Sequence, residues 1–138
     1  MKKLLYIPFL FISIIVIGQS NISGEIADSI ADPIRIGNLE VAQNNLQGPE
    51  SGQGATIKMG WYYAEQAITN LGNGWRLPTI DELNLMYLNR DKIGGFDKYY
   101  YWSSDQGGNL HYCIDFRNGQ SDGLYGNSAC CVRAVRSF

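Results

Sequence analysis

The stretch Gly74-Trp75-Arg76-Leu77-Pro78-Thr79-Ile80-Asp81-Glu82-Leu83 carries the clearest local instructions in the chain. Pro78 disfavours helix at the residue before it, so positions 75–77 read as a short extended piece. Thr79 and Glu82 have the spacing of a capping box. The Thr79 hydroxyl accepts from the backbone N–H of Glu82, and the Glu82 carboxylate reaches back to the N–H of Thr79. Asp81 and Glu82 also suit the positive end of the helix dipole. Ile80, Leu83, Met86 and Tyr87 then form one apolar stripe, which Gly94-Gly95 ends. A strand-like piece therefore hands over to a helix at Thr79.

Upstream, residues 61–71 place Tyr63, Ala64, Ala67, Ile68 and Leu71 at helical spacing, and Gly72-Asn73-Gly74 ends that helix. Ile34 and Ile36, then Leu39 and Val41, alternate on either side of Gly37-Asn38 and predict short strands. Residues 43–55 are rich in Asn, Gln and Gly, include Pro49, and read as an exposed loop. Downstream, residues 99–103 are aromatic and strand-like. Residues 110–117 alternate, with Tyr112, Ile114 and Phe116 expected inward and His111, Cys113, Asp115 and Arg117 outward. The stretch around Gly119, Gly123 and Gly126 reads as a loop, and residues 129–135 as the last strand. Helices between short strands, with an antiparallel run at the end, predict an α+β fold.

The chain opens with Lys2 and Lys3, an uncharged apolar run over 4–17, and Val16 and Gly18 as small residues before a cut. This is the three-part pattern of a signal peptide, expected to span 1–18. The apolar run falls short of the ~20 residues of a spanning helix and is interrupted by Pro8 and Ser13, so no stable membrane insertion is expected after leader removal. Residues 19–33 read as a polar tether, and 34–138 as one domain. No cysteine precedes Cys113, which argues against a lipoprotein anchor. Removing the leader leaves nine basic and thirteen acidic side chains, a balance that argues against a nucleic-acid partner.

The three cysteines are Cys113, Cys130 and Cys131. In an oxidising compartment Cys113 could bridge to Cys130 or to Cys131, but adjacent strand residues face opposite ways, so only one can meet it. Such a bridge would contribute roughly 3 kcal/mol on the chain-entropy model. Three buried, unbridged thiols are the equal alternative.

Four phrases occur in order: Gly74-Trp75-Arg76-Leu77-Pro78-Thr79, Asp81-Glu82-Leu83, Tyr101-Trp102-Ser103-Ser104 and Val132-Arg133-Ala134-Val135-Arg136. Together they resemble the bacterial domain family named after the C-terminal part of the Legionella collagen-like adhesin, Lcl. The resemblance runs from about Ile57 to the end. It implies a C-type-lectin-like fold, in which first and last strands pair and two helices flank a small twisted, mainly antiparallel sheet. It also marks Trp75, Arg76, Pro78, Thr79, Glu82, Trp102 and Arg133 as structural. The chain departs from relatives in two ways. Ile68 and Ala134 stand where relatives often carry a cysteine pair, and the loop over 43–55 looks like an insertion.

Arg76-Leu77-Pro78-Thr79 is also similar to a phrase of the formylglycine-generating enzymes, which hold copper through two thiolates a few residues apart. Cys130 and Cys131 are adjacent and should diverge, which weakens that likeness. His111, Cys113 and Asp115 lie on one strand face, yet alternation alone puts polar residues there, and no strained nucleophile turn accompanies them. Asp105, Asn109, Asp115, Asn118, Asp122 and Asn127 offer oxygens for calcium, but Asp and Asn are also the ordinary turn residues beside glycine. Tyrosines are abundant, and Tyr125 in its glycine-rich setting is the surface candidate.

The expected function is therefore an exported, periplasmic or secreted, non-catalytic binding or interaction module with no cofactor. Its ligand is a glycan or a protein, met by the loops around 105–109 and 119–127, with Tyr125, Asp122, Asp105 and Asn109 as the named candidates. The alternatives are a copper-thiolate oxidase or other small enzyme, and a structural surface component.

Overall fold

The computed structural model describes residues 32–46 and 58–138. The leader over 1–18, nearly all of the tether over 19–33 and most of the loop over 43–55 lie outside the described residues. The fold is α+β, with three helices and two small antiparallel sheets in place of the single sheet expected.

Strands β1 (Ile34–Ile36) and β2 (Leu39–Val41) form a hairpin that turns at Gly37, whose φ of 58° favours glycine. β2 also pairs with the last strand, β6 (Val135–Ser137). The second sheet is a meander of β3 (Tyr100–Gly107), β4 (Leu110–Asp115) and β5 (Gln120–Tyr125). Isolated bridges Tyr101↔Cys131, Met59↔Cys130 and Arg76↔Val135 stitch the C-terminal segment to its neighbours.

Helix α1 (Trp61–Thr69) buries Trp61, Ala64 and Ile68, while Tyr63, expected on the apolar face, is exposed. Helix α2 (Ile80–Leu88) starts with both halves of the capping box formed. The Glu82 N–H donates to Thr79 Oγ1 at 3.2 Å and the Thr79 N–H donates to Glu82 Oε2 at 2.9 Å. Arg76 fixes the same carboxylate at 2.6 and 2.7 Å. Thr79→Ala is expected to cost about 1 kcal/mol, read as a lower denaturant midpoint at constant slope. The helix expected to run on to Ile93 breaks at Asn89, where φ is −104° and ψ is 16°. The Asn89 amide donates to the Leu85 carbonyl at 2.8 Å, and a one-turn α3 (Arg90–Ile93) follows. A short polar side chain competing for backbone partners explains that break.

The buried apolar residues fall into two clusters. One holds Trp61, Ala64, Ile68, Trp75, Leu77, Trp102, Cys113, Cys130 and Val132. The other holds Val41, Leu83, Met86, Tyr101, Ile114, Phe116, Cys131 and Val135. Neighbouring residues divide between them at Tyr101 and Trp102, at Cys113 and Ile114, and at Cys130 and Cys131. Side chains alternate across an extended chain, so this region is covered on both faces.

Double coverage overturns the expected alternation in β4. His111, Cys113 and Asp115 are buried, while Tyr112 is 39% exposed and its ring lies across Gly107. Residues 120–125, expected as a loop, form β5 in full register with β4. Gly119, at φ 79° and under the Tyr87 ring, closes the turn that lets β5 return. In the expected last strand over 129–135, only Val135 belongs to β6. The rest is irregular chain held by single bridges.

Two buried charges hold the framework. Glu40 accepts from Arg35 at 2.8 Å and from Arg136 at 2.6 Å, and these guanidinium bonds keep its carboxyl below the usual range. Arg133, wholly buried, spends its donors on Asn45 and on the carbonyls of Ala42, Gln43, Gly94 and Gly95.

Candidate functional site

A cleft of about 520 Å³ opens between the start of α1, the β3–β4 hairpin and the end of β5. Tyr62 and Tyr63 line it from α1, and Gln106, Asn109 and His111 line it from the hairpin. Tyr125, Gly126 and Asn127 complete the wall. None of the described lining residues is Asp, Glu, Lys or Arg.

Backbone contacts fix the three walls. The Trp61 N–H donates to the Gly126 carbonyl at 2.8 Å, and its indole N–H donates to the Ser103 carbonyl at 2.7 Å. A side chain at position 60 would place its Cβ 2.8 Å from the Gly126 carbonyl oxygen, so Gly60 is what allows the approach. Behind the opening, the His111 ring stacks on Trp61 with centroids 4.1 Å apart and 26° between planes. Tyr62 meets both rings edge-on, at 5.4 Å from each. Tyr62, Tyr63 and Tyr125 are 67%, 74% and 65% exposed.

His111 is nearly closed off from solvent, at 4% exposure. Its Nδ1 is buried without a partner. Burial holds the imidazole below its ordinary value, against the smaller opposing pull of Glu65.

Of the ligand-site residues expected from sequence, Asn109 and Tyr125 lie in this cleft. Asp105 does not line it, for its carboxylate accepts from the Ile80 N–H at the first turn of α2. Asp122 stands on β5 opposite Cys113, exposed, and accepts from the Gly123 N–H at 2.8 Å. Gln106 and Asn127, within the loop stretches expected to meet the ligand, also line it, whereas Tyr62, Tyr63 and His111 join the cleft without having been singled out for it. The tyrosine pair beside Trp61 was the available signal, because α1 can bury only one side of such an aromatic run.

The structural residues stand as follows. Trp75 is buried under Arg136, and Pro78 is buried with its carbonyl accepting from the Ser104 N–H at 2.7 Å. The Trp102 indole N–H donates to the Met59 carbonyl at 2.8 Å.

All three cysteines are buried free thiols. Cys113 and Cys130 share one cluster and contact each other, whereas Cys131 faces the other cluster. Hydrogen bonding to Cys113, then burial, pushes the Cys130 thiol up. Burial pushes Cys131 up to about 11. Such thiols are protonated at neutral pH and poorly nucleophilic. Oxidation by a disulfide reagent is expected to join Cys113 to Cys130 and leave Cys131 free. Intact mass would then fall by two hydrogens, and peptide mapping that found Cys131 in the bridge would contradict this.

The His111, Cys113 and Asp115 row does not assemble into a triad. Cys113 Sγ donates to the Asp122 carbonyl at 3.5 Å, and Asp115 is held by Arg117 at 2.7 Å. Among the described residues, no three His, Cys, Asp or Glu side chains gather as a metal site. A second hollow of about 230 Å³ is lined by Glu65, Thr69, Arg76, Leu77, Thr79 and Ser104, with Arg76 already bound to Glu82. No described helix is long and apolar enough to cross a membrane.

No family model and no curated protein matches the chain. Among solved structures it is similar to the crystal structure of botrocetin, at 13% identity and a TM-score of 0.51, over 76% of this chain and 95% of that one. At that identity the likeness speaks for architecture alone, and on that ground the chain has a C-type-lectin-like fold.

Proposed function

We propose that the chain is a non-catalytic binding module that takes a glycan in the cleft between α1 and the β3–β4 hairpin. The carrying observation is the cleft's lining: three exposed tyrosines beside the amides of Gln106, Asn109 and Asn127, with no charged side chain among the described residues. Sugars present an apolar face of C–H groups and a rim of hydroxyls. Rings suit the first and amides suit the second. A few convergent polar groups in a largely aromatic hollow are what orient a small ligand.

The leader-like start and the phrases shared with the Lcl C-terminal family support an exported, adhesin-type setting for such a module. A non-catalytic role is supported by thiols held protonated and by the dispersal of His111, Cys113 and Asp115 onto separate partners.

A glycan array probed with the protein, followed by titration of the best binder, tests this reading. Tyr125→Ala is expected to weaken binding about tenfold, since an exposed ring lost from a contact surface costs about 1–2 kcal/mol. Its unfolding midpoint should stay near that of the parent, because the ring is 65% exposed. Binding that survives a chelator would agree with the cleft as described. Binding that vanishes with chelator and ignores Tyr125→Ala would place the ligand elsewhere, on a bound cation.

A further inference from the structure

We propose that the Nε2–H of His111 is the hydrogen-bond donor that reads the bound sugar, and that the cleft thereby favours uncharged sugars over acidic ones. This rests on the glycan reading above and adds a residue, a proton position and a selectivity to it.

Three observations carry the proposal. First, no hydrogen bond from a described residue reaches either ring nitrogen of His111, although the side chain is 4% exposed and Nδ1 is sealed. A buried polar atom without a partner costs free energy, and native structures keep few of them without a use. Second, the ring cannot turn away to find a partner. Trp61 covers one face at 4.1 Å and Tyr62 stands against its edge at 5.4 Å. Third, His111 lines the cleft, and of its two nitrogens only Nδ1 is sealed, so the edge carrying Nε2 is the one on the cleft side. It passes Gly126, where an added Cβ would sit 3.1 Å from both Cδ2 and Nε2, and Gly126 is part of the cleft wall.

The proton position follows from the difference between the two nitrogens. A sealed N–H with no acceptor is rarer in proteins than a sealed lone pair with no donor, so the proton belongs on Nε2. Nδ1 then holds the lone pair, and Nε2–H lies on the side of the ring that borders the cleft. Burial keeps the ring in this neutral form at neutral pH. Glu65 on α1 is the charged side chain that acts against it, and the Tyr62 phenol stands at the ring edge.

Selectivity is the consequence. A sugar hydroxyl or ring oxygen can accept from Nε2–H without any change in charge. A sugar carboxylate would enter a cleft that no described Lys or Arg lines. Its natural counter-ion, an imidazolium at His111, would need a second N–H at Nδ1, where nothing accepts it.

The test uses the full chain labelled with ¹⁵N-histidine and a fixed set of probes: the methyl glycosides of glucose, galactose, mannose and N-acetylglucosamine, with the methyl glycoside of glucuronic acid as the charged partner of glucose. In the free protein the ¹⁵N shifts should show Nε2 protonated and Nδ1 bare. A neutral glycoside that binds should move the Nε2 signal and leave Nδ1 in place. The glucuronide should bind about tenfold more weakly than the glucoside. His111→Phe, which keeps a flat ring on Trp61 and removes the donor, should lose about tenfold in affinity with a folded melt. If that variant does not fold, the ¹⁵N shifts of the parent chain still decide the matter. Binding of a neutral glycoside with Nε2 unmoved, or a free ring protonated on Nδ1, overturns the role of His111 and leaves the glycan reading standing. Failure of every probe to bind overturns both.

Discussion

Arg133→Met is expected to lose about 3–5 kcal/mol of stability, enough to unfold much of the protein at 37 °C if its total is that of an ordinary small domain. The side chain is wholly buried, and among the described residues no carboxylate forms an ion pair with it. Its charge is dispersed over five acceptors. Nε donates to Asn45 Oδ1 at 2.8 Å, one terminal nitrogen to the Ala42 and Gln43 carbonyls at 2.9 and 2.6 Å, and the other to Gly94 and Gly95 at 3.3 and 2.6 Å. Phe96 lies under the guanidinium at 4.1 Å. Burial lowers its pKa to about 10, so it is charged at neutral pH. Methionine fills a similar volume and removes every donor, leaving sealed carbonyls at about 1–3 kcal/mol for each one that finds no water. Arg133→Lys should recover only part of the loss, because an ammonium has three donors and no planar fork. Thermal unfolding followed by circular dichroism checks both variants, and a Met variant that melts with the parent would show that the network contributes nothing.

Trp102→Ala should be nearly as damaging, at about 3–5 kcal/mol. The ring is fully buried in the cluster with Trp61, Cys113 and Cys130, and its N–H is the donor that reaches the Met59 carbonyl across the fold. Truncation opens a cavity and removes that bond together, leaving the Met59 carbonyl with the longer bond from the Cys130 N–H at 3.2 Å. Trp102→Phe separates the two effects, since it retains most of the ring and loses the donor. Its expected cost is about 1–3 kcal/mol. Urea denaturation of the two variants gives the comparison, and equal midpoints for Phe and Ala would mean that packing contributes little there.

How far these elements were legible depended on the range of the interactions that set them. The start of α2 was readable because Thr79 and Glu82 are three residues apart and Pro78 constrains its neighbour directly. The β1–β2 turn at Gly37 is equally local. β4 defeated an alternation argument that assumed one wet face. His111 and Cys113 are buried because Trp61 and Trp102 arrive from elsewhere in the chain, which no periodicity within 110–117 could register. β5 was hidden by its glycines. Gly119 and Gly123 read as loop residues, yet one makes the turn and the other lies opposite Tyr112. The cleft was half legible. Tyr125, Asn109 and Asn127 could be picked for their turn-rich setting, whereas Tyr62 and Tyr63 become their neighbours only once the Trp61 N–H meets the Gly126 carbonyl.

The exposure of Tyr62, Tyr63 and Tyr125 also bears on how freely such a protein can change its habits. Arg133, Trp102 and the divided Cys130–Cys131 segment hold the fold from inside, and none of them lines the cleft. Substitutions at exposed positions away from special backbone or caps shift stability by about 0.5 kcal/mol at most. The rim of the cleft is thus a place where descendants of one ancestor can trade partners without re-solving the folding problem. A library randomised at Tyr63 and Tyr125, with Tyr62, His111 and Gly126 kept, would draw on the same freedom.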